Sequence, residues 1–191
     1  MKVKRGVFPP LSNNCYLIVD EATNYSALVD CSVWNDDMKS LIGDTQLKYI
    51  LLTHGHYDHT GGVKEVQSRY GAKVHSLAAI SRVPFEKTNA DLTVGDGDII
   101  TLGETKIKVI STPGHTVGGV CFLAENALFT GDTLFKLSCG RTDFPGGSWE
   151  ELENSLKKLR ELDGDFKVYT GHDDTSTLDF ERKNNMYMRN L

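Results

Sequence analysis

At 191 residues, with 39% hydrophobic and 25% charged side chains, the chain can bury a sizeable core and is no fibre or disordered tract. Its net charge of −5, with no dense Lys/Arg cluster, argues against a nucleic-acid partner. No run approaches the ~20 apolar residues of a membrane span, and "MKVKRGVFPPL" has no apolar signal core, so a cytoplasmic protein without a membrane partner is expected.

The chain reads as one domain, 1–191, of alternating strands and helices. "CYLIVD" (15–20) and "YSALVD" (25–30) form a hairpin across a polar "EATN" turn. "VWNDDMKSLIG" predicts a short helix closing on Gly43. "LKYILLT" (47–53) is apolar throughout, as a strand buried on both faces would be. A helix follows in "GGVKEVQSRYG", then a strand in "AKVHS". "DIITLG" with "TKIKVIST", and "GGVCFLAENALFTGD" around Glu125-Asn126, predict two further hairpins. "SWEELENSLKKLRELDG" is the clearest helix. Ser148 and Glu151 suit a capping box, and Trp149, Leu152, Leu156 and Leu159 share one face as core packing. "FKVYTG" predicts a last strand and "TLDFERKNNMYM" a C-terminal helix. The four cysteines, Cys15, Cys31, Cys121 and Cys139, form no C-x-x-C pair and fit small buried thiols in a reducing compartment. Cys139, in a Gly-bounded loop, is the least clear of them.

Chemistry concentrates in "THGHYDHTGG". Three of six histidines, His54, His56 and His59, crowd there with Asp58. Such crowding has no structural benefit, and a shared cation relieves it. His54, His115, Asp132 and His172 each follow a predicted strand in or beside a glycine turn, where ligands collect in open α/β sheets. His75 ends a strand with no partner motif and is set aside. Seven ligand-type residues exceed one tetrahedral zinc. They suit two ions ~3.5–4 Å apart with one ligand bridging. Two divalent ions, two aspartates and a bridging hydroxide leave a positive site suited to an anionic or carbonyl substrate. Imidazole and carboxylate accept zinc, the leading choice, or iron or manganese.

"THGHYDHTGG", "TPGHTVGG", "FTGDTLF" and "TGH", in that order, resemble the metallo-β-lactamase superfamily. The resemblance implies an α/β fold, an αββα sandwich. It also implies one metal on His54, His56 and His115, a second on Asp58, His59 and His172, and Asp132 bridging. "GDTLFKLSCGRTDFPGGSWEELENSLKKL" is similar to the glyoxalase II-like, or hydroxyacylglutathione hydrolase-like, enzymes, and "STLDFERKNN" to their T-T-x-G-x-E-x-x-x-N-P tail, aligning Glu181 and Asn185. Asp173-Asp174, Asp179 and Met186 depart from that pattern. The chain ends at Leu191 without the extra helical region that helps hold glutathione, so it resembles the short, single-domain members. This implies a binuclear hydrolase cleaving a small anionic thioester, such as an acylglutathione, through a metal-bridging hydroxide that Asp58 orients. Arg141 and Asn185 are the substrate-facing candidates, although Arg141 could equally pair with Asp143 in its own loop. Persulfide dioxygenases of the superfamily also show the C-G-R-T-D-F of Cys139–Phe144. For them, a single iron would sit on His54, His115 and Asp132. A third reading is a non-enzymatic metal-binding scaffold. Oligomeric state leaves no mark in the sequence.

Overall fold

The computed structural model describes residues 1–77 and 90–191. Its first sheet runs β1 (Lys2–Phe8), β2 (Asn13–Asp20), β3 (Tyr25–Val29), β4 (Gln46–Leu51), β5 (Lys73–Leu77) and β6 (Leu92–Val94), in that spatial order. The first pairings are antiparallel; those from β3 to β6 are parallel. Parallel neighbours need crossovers. The connections from β3 to β4 and from β4 to β5 contain α1 (Asp36–Ile42) and then α2 (Tyr57–Thr60) with α3 (Val63–Tyr70). Asn35 caps α1 by accepting from the Met38 N–H at 2.9 Å, so that helix starts three residues later than its sequence suggests.

The second sheet contains β7 (Ile99–Leu102), β8 (Thr105–Ser111), β9 (Val120–Ala124) and β10 (Ala127–Gly131). A small hairpin of β11 (Leu134–Phe135) and β12 (Ser138–Cys139) follows, then α4 (Trp149–Arg160), β13 (Lys167–Thr170), β14 (Ser176–Thr177) and α5 (Leu178–Asn184). Its order is β14-β13-β10-β9-β8-β7, with β10 and β13 parallel across the α4 crossover.

Strand alternation builds the layers. In β2, Tyr16 and Ile18 point into the core shared with Ile107, Val109, Phe122 and Phe129 of the second sheet. Cys15, Leu17 and Val19 point the other way, against Met38 and Ile42 of α1 and Val66 of α3. On the far side, Leu152, Leu156 and Leu159 of α4 pack with Leu128, Val168 and Leu178. The result is the expected helix–sheet–sheet–helix sandwich. No helix among the described residues is long and apolar enough to cross a membrane.

Two details of α4 depart from expectation. Trp149 is 46% exposed and leans edge-on against Tyr187 rather than joining the leucine stripe. The capping box is half formed: Ser148 Oγ accepts from the Glu151 N–H at 3.3 Å, but the Ser148 N–H donates to Gly114 O at 2.8 Å. Leu156 is fully buried. Leu156→Ala is expected to cost about 2–5 kcal/mol and lower Tm by roughly 5–15 °C in a circular-dichroism melt. Trp149→Ala, at a half-open position, should shift Tm far less.

Candidate metal centre

Both sheets send their chain ends to one place. Beyond β4, the Thr53 N–H donates to Asp30 Oδ1 at 2.8 Å. That bond turns the chain into the loop carrying His54 and His56, and α2 then carries Asp58 and His59 inward. From the second sheet come His115 after β8, Asp132 directly after β10 and His172 just beyond β13. At Gly171, between β13 and His172, a Cβ would lie 2.2 Å from Asp132 Oδ1 and 3.0 Å from His59 Cε1. Only glycine fits there.

The outward ring nitrogens set the imidazole tautomers. His115 Nδ1 lies 2.7 Å from Arg141 O, His59 Nδ1 lies 2.8 Å from Asp30 Oδ2, and His172 Nδ1 lies 3.2 Å from Leu11 O. Each partner can only accept, so each Nδ1 carries a proton, and in the neutral ring Nε2 turns a lone pair inward. Thr53 Oγ1 donates to Asp30 Oδ2 at 2.8 Å, which leaves it to accept from His54 Nδ1 at 3.1 Å. His54 Nε2 is therefore a lone pair as well. His56 instead presents Nδ1, 2.9 Å from His115 Nε2.

The inward atoms fall into groups whose members all lie within 4.8 Å of one another: His54, His56 and His115; His54, His59 and Asp132; Asp58, His59 and His172. Asp132 faces both sides, with Oδ1 3.4 Å from His59 Nε2 and Oδ2 3.5 and 3.6 Å from His115 and His172 Nε2. Two donors each ~2.1 Å from one tetrahedral ion stand roughly 3.4 Å apart. These gaps are too long for hydrogen bonds and right for a shared cation. His54 Nε2, His59 Nε2 and Asp132 Oδ1 are buried with no hydrogen-bond partner among the described residues. Such orphans are costly unless a ligand satisfies them. By position and donor chemistry, the seven residues fit a pair of divalent ions.

Charge at the centre is uneven. Burial pushes His54 well below its ordinary pKa, with the neighbouring histidines acting the same way, and burial also lowers His56. Burial opposes charge on His59 too, yet Asp132, Asp30 and Asp58 outweigh it and carry His59 up to about 9. The Asp58 carboxylate, 3.5 Å from His172 Nε2, raises His172 against the effect of its burial. Burial would raise Asp58, but His172, His59 and Asn13 hold it below the usual carboxylate range. The Asp58 side of the site thus favours positive charge, while the His54 side resists protons and keeps neutral lone pairs.

A cleft of about 690 Å³ opens over these residues, walled by Leu11, Tyr57, Phe135, Phe144 and Pro145. Arg141 lines it, but its Nε and Nη2 both donate to the Asp143 carboxylate at 2.6 Å, the in-loop pairing its sequence allowed. Asn185 corrects an expectation. It is fully buried, and its Nδ2 donates to Ser138 O and Glu181 Oε2 at 2.9 Å, so it anchors the β11–β12 hairpin instead of meeting substrate. Burial pushes the Cys139 thiol up to about 11, leaving it neutral and a poor nucleophile. His75 stands apart, edge-on against Tyr49.

Sequence reasoning passed over two supporting residues. Asp30 ends the "YSALVD" run as the other site residues end theirs, a signal that was available. Asn13, whose Nδ2 donates to Asp58 Oδ2 at 2.9 Å, is a buried amide opening an apolar strand.

A family model described as the metallo-beta-lactamase superfamily matches residues 8–172. The chain is 41% identical over 167 residues to a hydroxyacylglutathione hydrolase of Pelagibacter ubique, covering 85% of this chain and 67% of that one. It is 33% identical over 165 residues to the probable polyketide biosynthesis zinc-dependent hydrolase PksB of Bacillus subtilis, covering 84% and 73%. A solved structure, TTHA1623 in a di-iron-bound form, aligns with a TM-score of 0.83 at 27% identity, covering 96% of this chain and 99% of that one.

Proposed function

The chain belongs to the metallo-beta-lactamase superfamily, and from that premise we propose that it is a metal-dependent hydrolase of thioesters, an acylglutathione among them. One observation carries the reading: ring nitrogens of His54, His56, His59, His115 and His172 converge with the carboxylates of Asp58 and Asp132 beneath an open cleft. His54, His56 and His115 would hold one ion, Asp58, His59 and His172 the other, and Asp132 both. Zinc is the leading choice, with iron and manganese as alternatives. Such ions supply a water whose pKa falls to near 7 and a positive charge facing the scissile carbonyl.

The remaining work falls to the chain's own groups. Asp58, held ionised and fixed by Asn13, would accept a hydrogen bond from a water at the centre and orient it toward a bound carbonyl. Asp30 and Thr53 keep the imidazoles in the tautomers that face inward. Phe135 and Phe144 wall the cleft and would limit the access of bulk water to the reacting bond. No side-chain nucleophile is required, in keeping with the neutral Cys139 thiol. A binding scaffold would have no use for the open cleft.

Metal analysis of the purified protein with a thioester assay tests the proposal. About two ions per chain are expected, with turnover lost on chelation and restored by zinc. Chelation should also lower Tm by roughly 10 °C, because ligands that bind only the folded state stabilise it. One iron per chain on His54, His115 and Asp132, with oxygen uptake on glutathione persulfide, would establish the dioxygenase reading instead.

A further inference from the structure

The walls of the cleft are more selective than its floor. Phe144 lies edge-on to His56 at a centroid distance of 5.6 Å, and Phe135 edge-on to His172 at 6.1 Å. An apolar surface therefore begins beside each half of the metal centre, and Leu11, Tyr57 and Pro145 extend it outward. Leu11, Tyr57 and Phe144 are 53%, 65% and 41% exposed. Large apolar groups left open together in one concavity mark a binding surface.

The polar inventory is correspondingly thin. Among the described residues, Arg141 is the one lysine or arginine lining the cleft. Its bidentate bond to Asp143 offsets its charge, and its guanidinium carbon sits over the Phe144 ring, 4.0 Å from the centroid. Apart from the metal ligands, Ser138, the neutral Cys139 thiol and Tyr57 are the other side chains there that carry a polar group. Away from the metal ligands, no buried side chain of the lining offers a partner for an acyl hydroxyl, and burying that hydroxyl unpaired is costly.

Resting on the thioesterase reading above, we infer that the cleft selects an apolar acyl group, a chain of several methylenes, over a short hydroxyacyl group. The chain lies between Phe144 and Phe135, with its thioester carbonyl over the metal centre and its far end against Leu11 and Tyr57.

The test uses the full chain loaded with zinc and one series of N-acetylcysteamine thioesters: lactoyl, acetyl, butanoyl, hexanoyl and octanoyl. The expected kcat/KM rises about threefold per added methylene up to hexanoyl, with lactoyl among the poorest. Phe144→Ala and Phe135→Ala, both at partly open positions, should each flatten that rise. Calorimetric titration with octanoate and with lactate gives a readout independent of turnover, and octanoate is expected to bind at least tenfold tighter. Hydrolysis with lactoyl preferred, or with no dependence on chain length, overturns the apolar seat and leaves the thioesterase reading standing. Tight octanoate binding with no thioester hydrolysed overturns the thioesterase reading and leaves the seat. Equal binding of the two acids overturns the seat whatever the kinetics show.

Discussion

Asp132→Ala is expected to lower kcat/KM by at least about 10³-fold and to reduce bound metal from about two ions per chain to one or none. The reason is position. Asp132 is the residue whose carboxylate faces both groups, Oδ1 toward His59 of one and Oδ2 toward His172 of that group and His115 of the other. Removing it takes a ligand and a negative charge from both ions at once, and Asp58 alone remains to offset the charge of two divalent cations among the neutral imidazoles. The fold should survive, because Asp132 Oδ1 makes no hydrogen bond that any backbone depends on. Mass-spectrometric metal content, a thioester assay and far-UV circular dichroism are the measurements. Wild-type turnover in a folded, metal-depleted variant would overturn the assignment of the site.

Asp30→Asn should also do severe damage, although Asp30 touches no proposed ion. Its carboxylate accepts from the Thr53 N–H, from Thr53 Oγ1 and from His59 Nδ1, each at 2.8 Å. An amide offers one oxygen in place of two, so its NH₂ must confront at least one of these donors. With the amide nitrogen toward His59, the imidazole proton moves to Nε2 and the inward lone pair is lost. With the opposite flip, the Thr53 N–H loses its acceptor where the chain bends toward His54. Either arrangement should weaken metal binding by about 10–100-fold, as loss of an orienting partner does. It should also destabilise the fold by about 1–3 kcal/mol through a buried unsatisfied donor. Zinc titration gives the first quantity and denaturant unfolding of the metal-free protein the second. Nitrogen NMR of the histidine rings separates the two flips by showing which His59 nitrogen is protonated. An unchanged zinc affinity would show that Asp30 does not orient the ligands.

The seven candidate ligands were legible because each announces itself locally. A dense H-x-H-x-D-H loop and glycine-bracketed residues after apolar runs need no long-range information. The central strands were legible for a related reason, since burial on both faces leaves continuous apolar text. β1 carries no such text. "KVKRGVF" lies at the sheet edge with three basic residues, and pairing with β2 alone makes it a strand. Asn185 shows a different limit. A tail motif places it near the site, but only coordinates show that its amide points into the protein. There its Oδ1 also accepts from the Tyr187 N–H at 3.0 Å, which helps stop α5 short of the expected end. Asp30 was missed because an aspartate after a strand also reads as a turn former.

The candidate ligands come from both sheets: His54, His56, Asp58 and His59 from the first, His115, Asp132 and His172 from the second. At the opposite end, Asp20 of β2 accepts from the Glu104 and Thr105 N–H groups beyond β7, fastening the layers there. Neither sheet alone can assemble either metal group together with Asp132, so ion capture must follow their docking in the course of folding. Bound ions then act on the escape route. They leave the rate of folding nearly unchanged and slow unfolding, because contacts absent from the transition state are felt only on the way out. With ions bound there, the lifetime under heat or protease would be set by how readily this one end of the sandwich releases them.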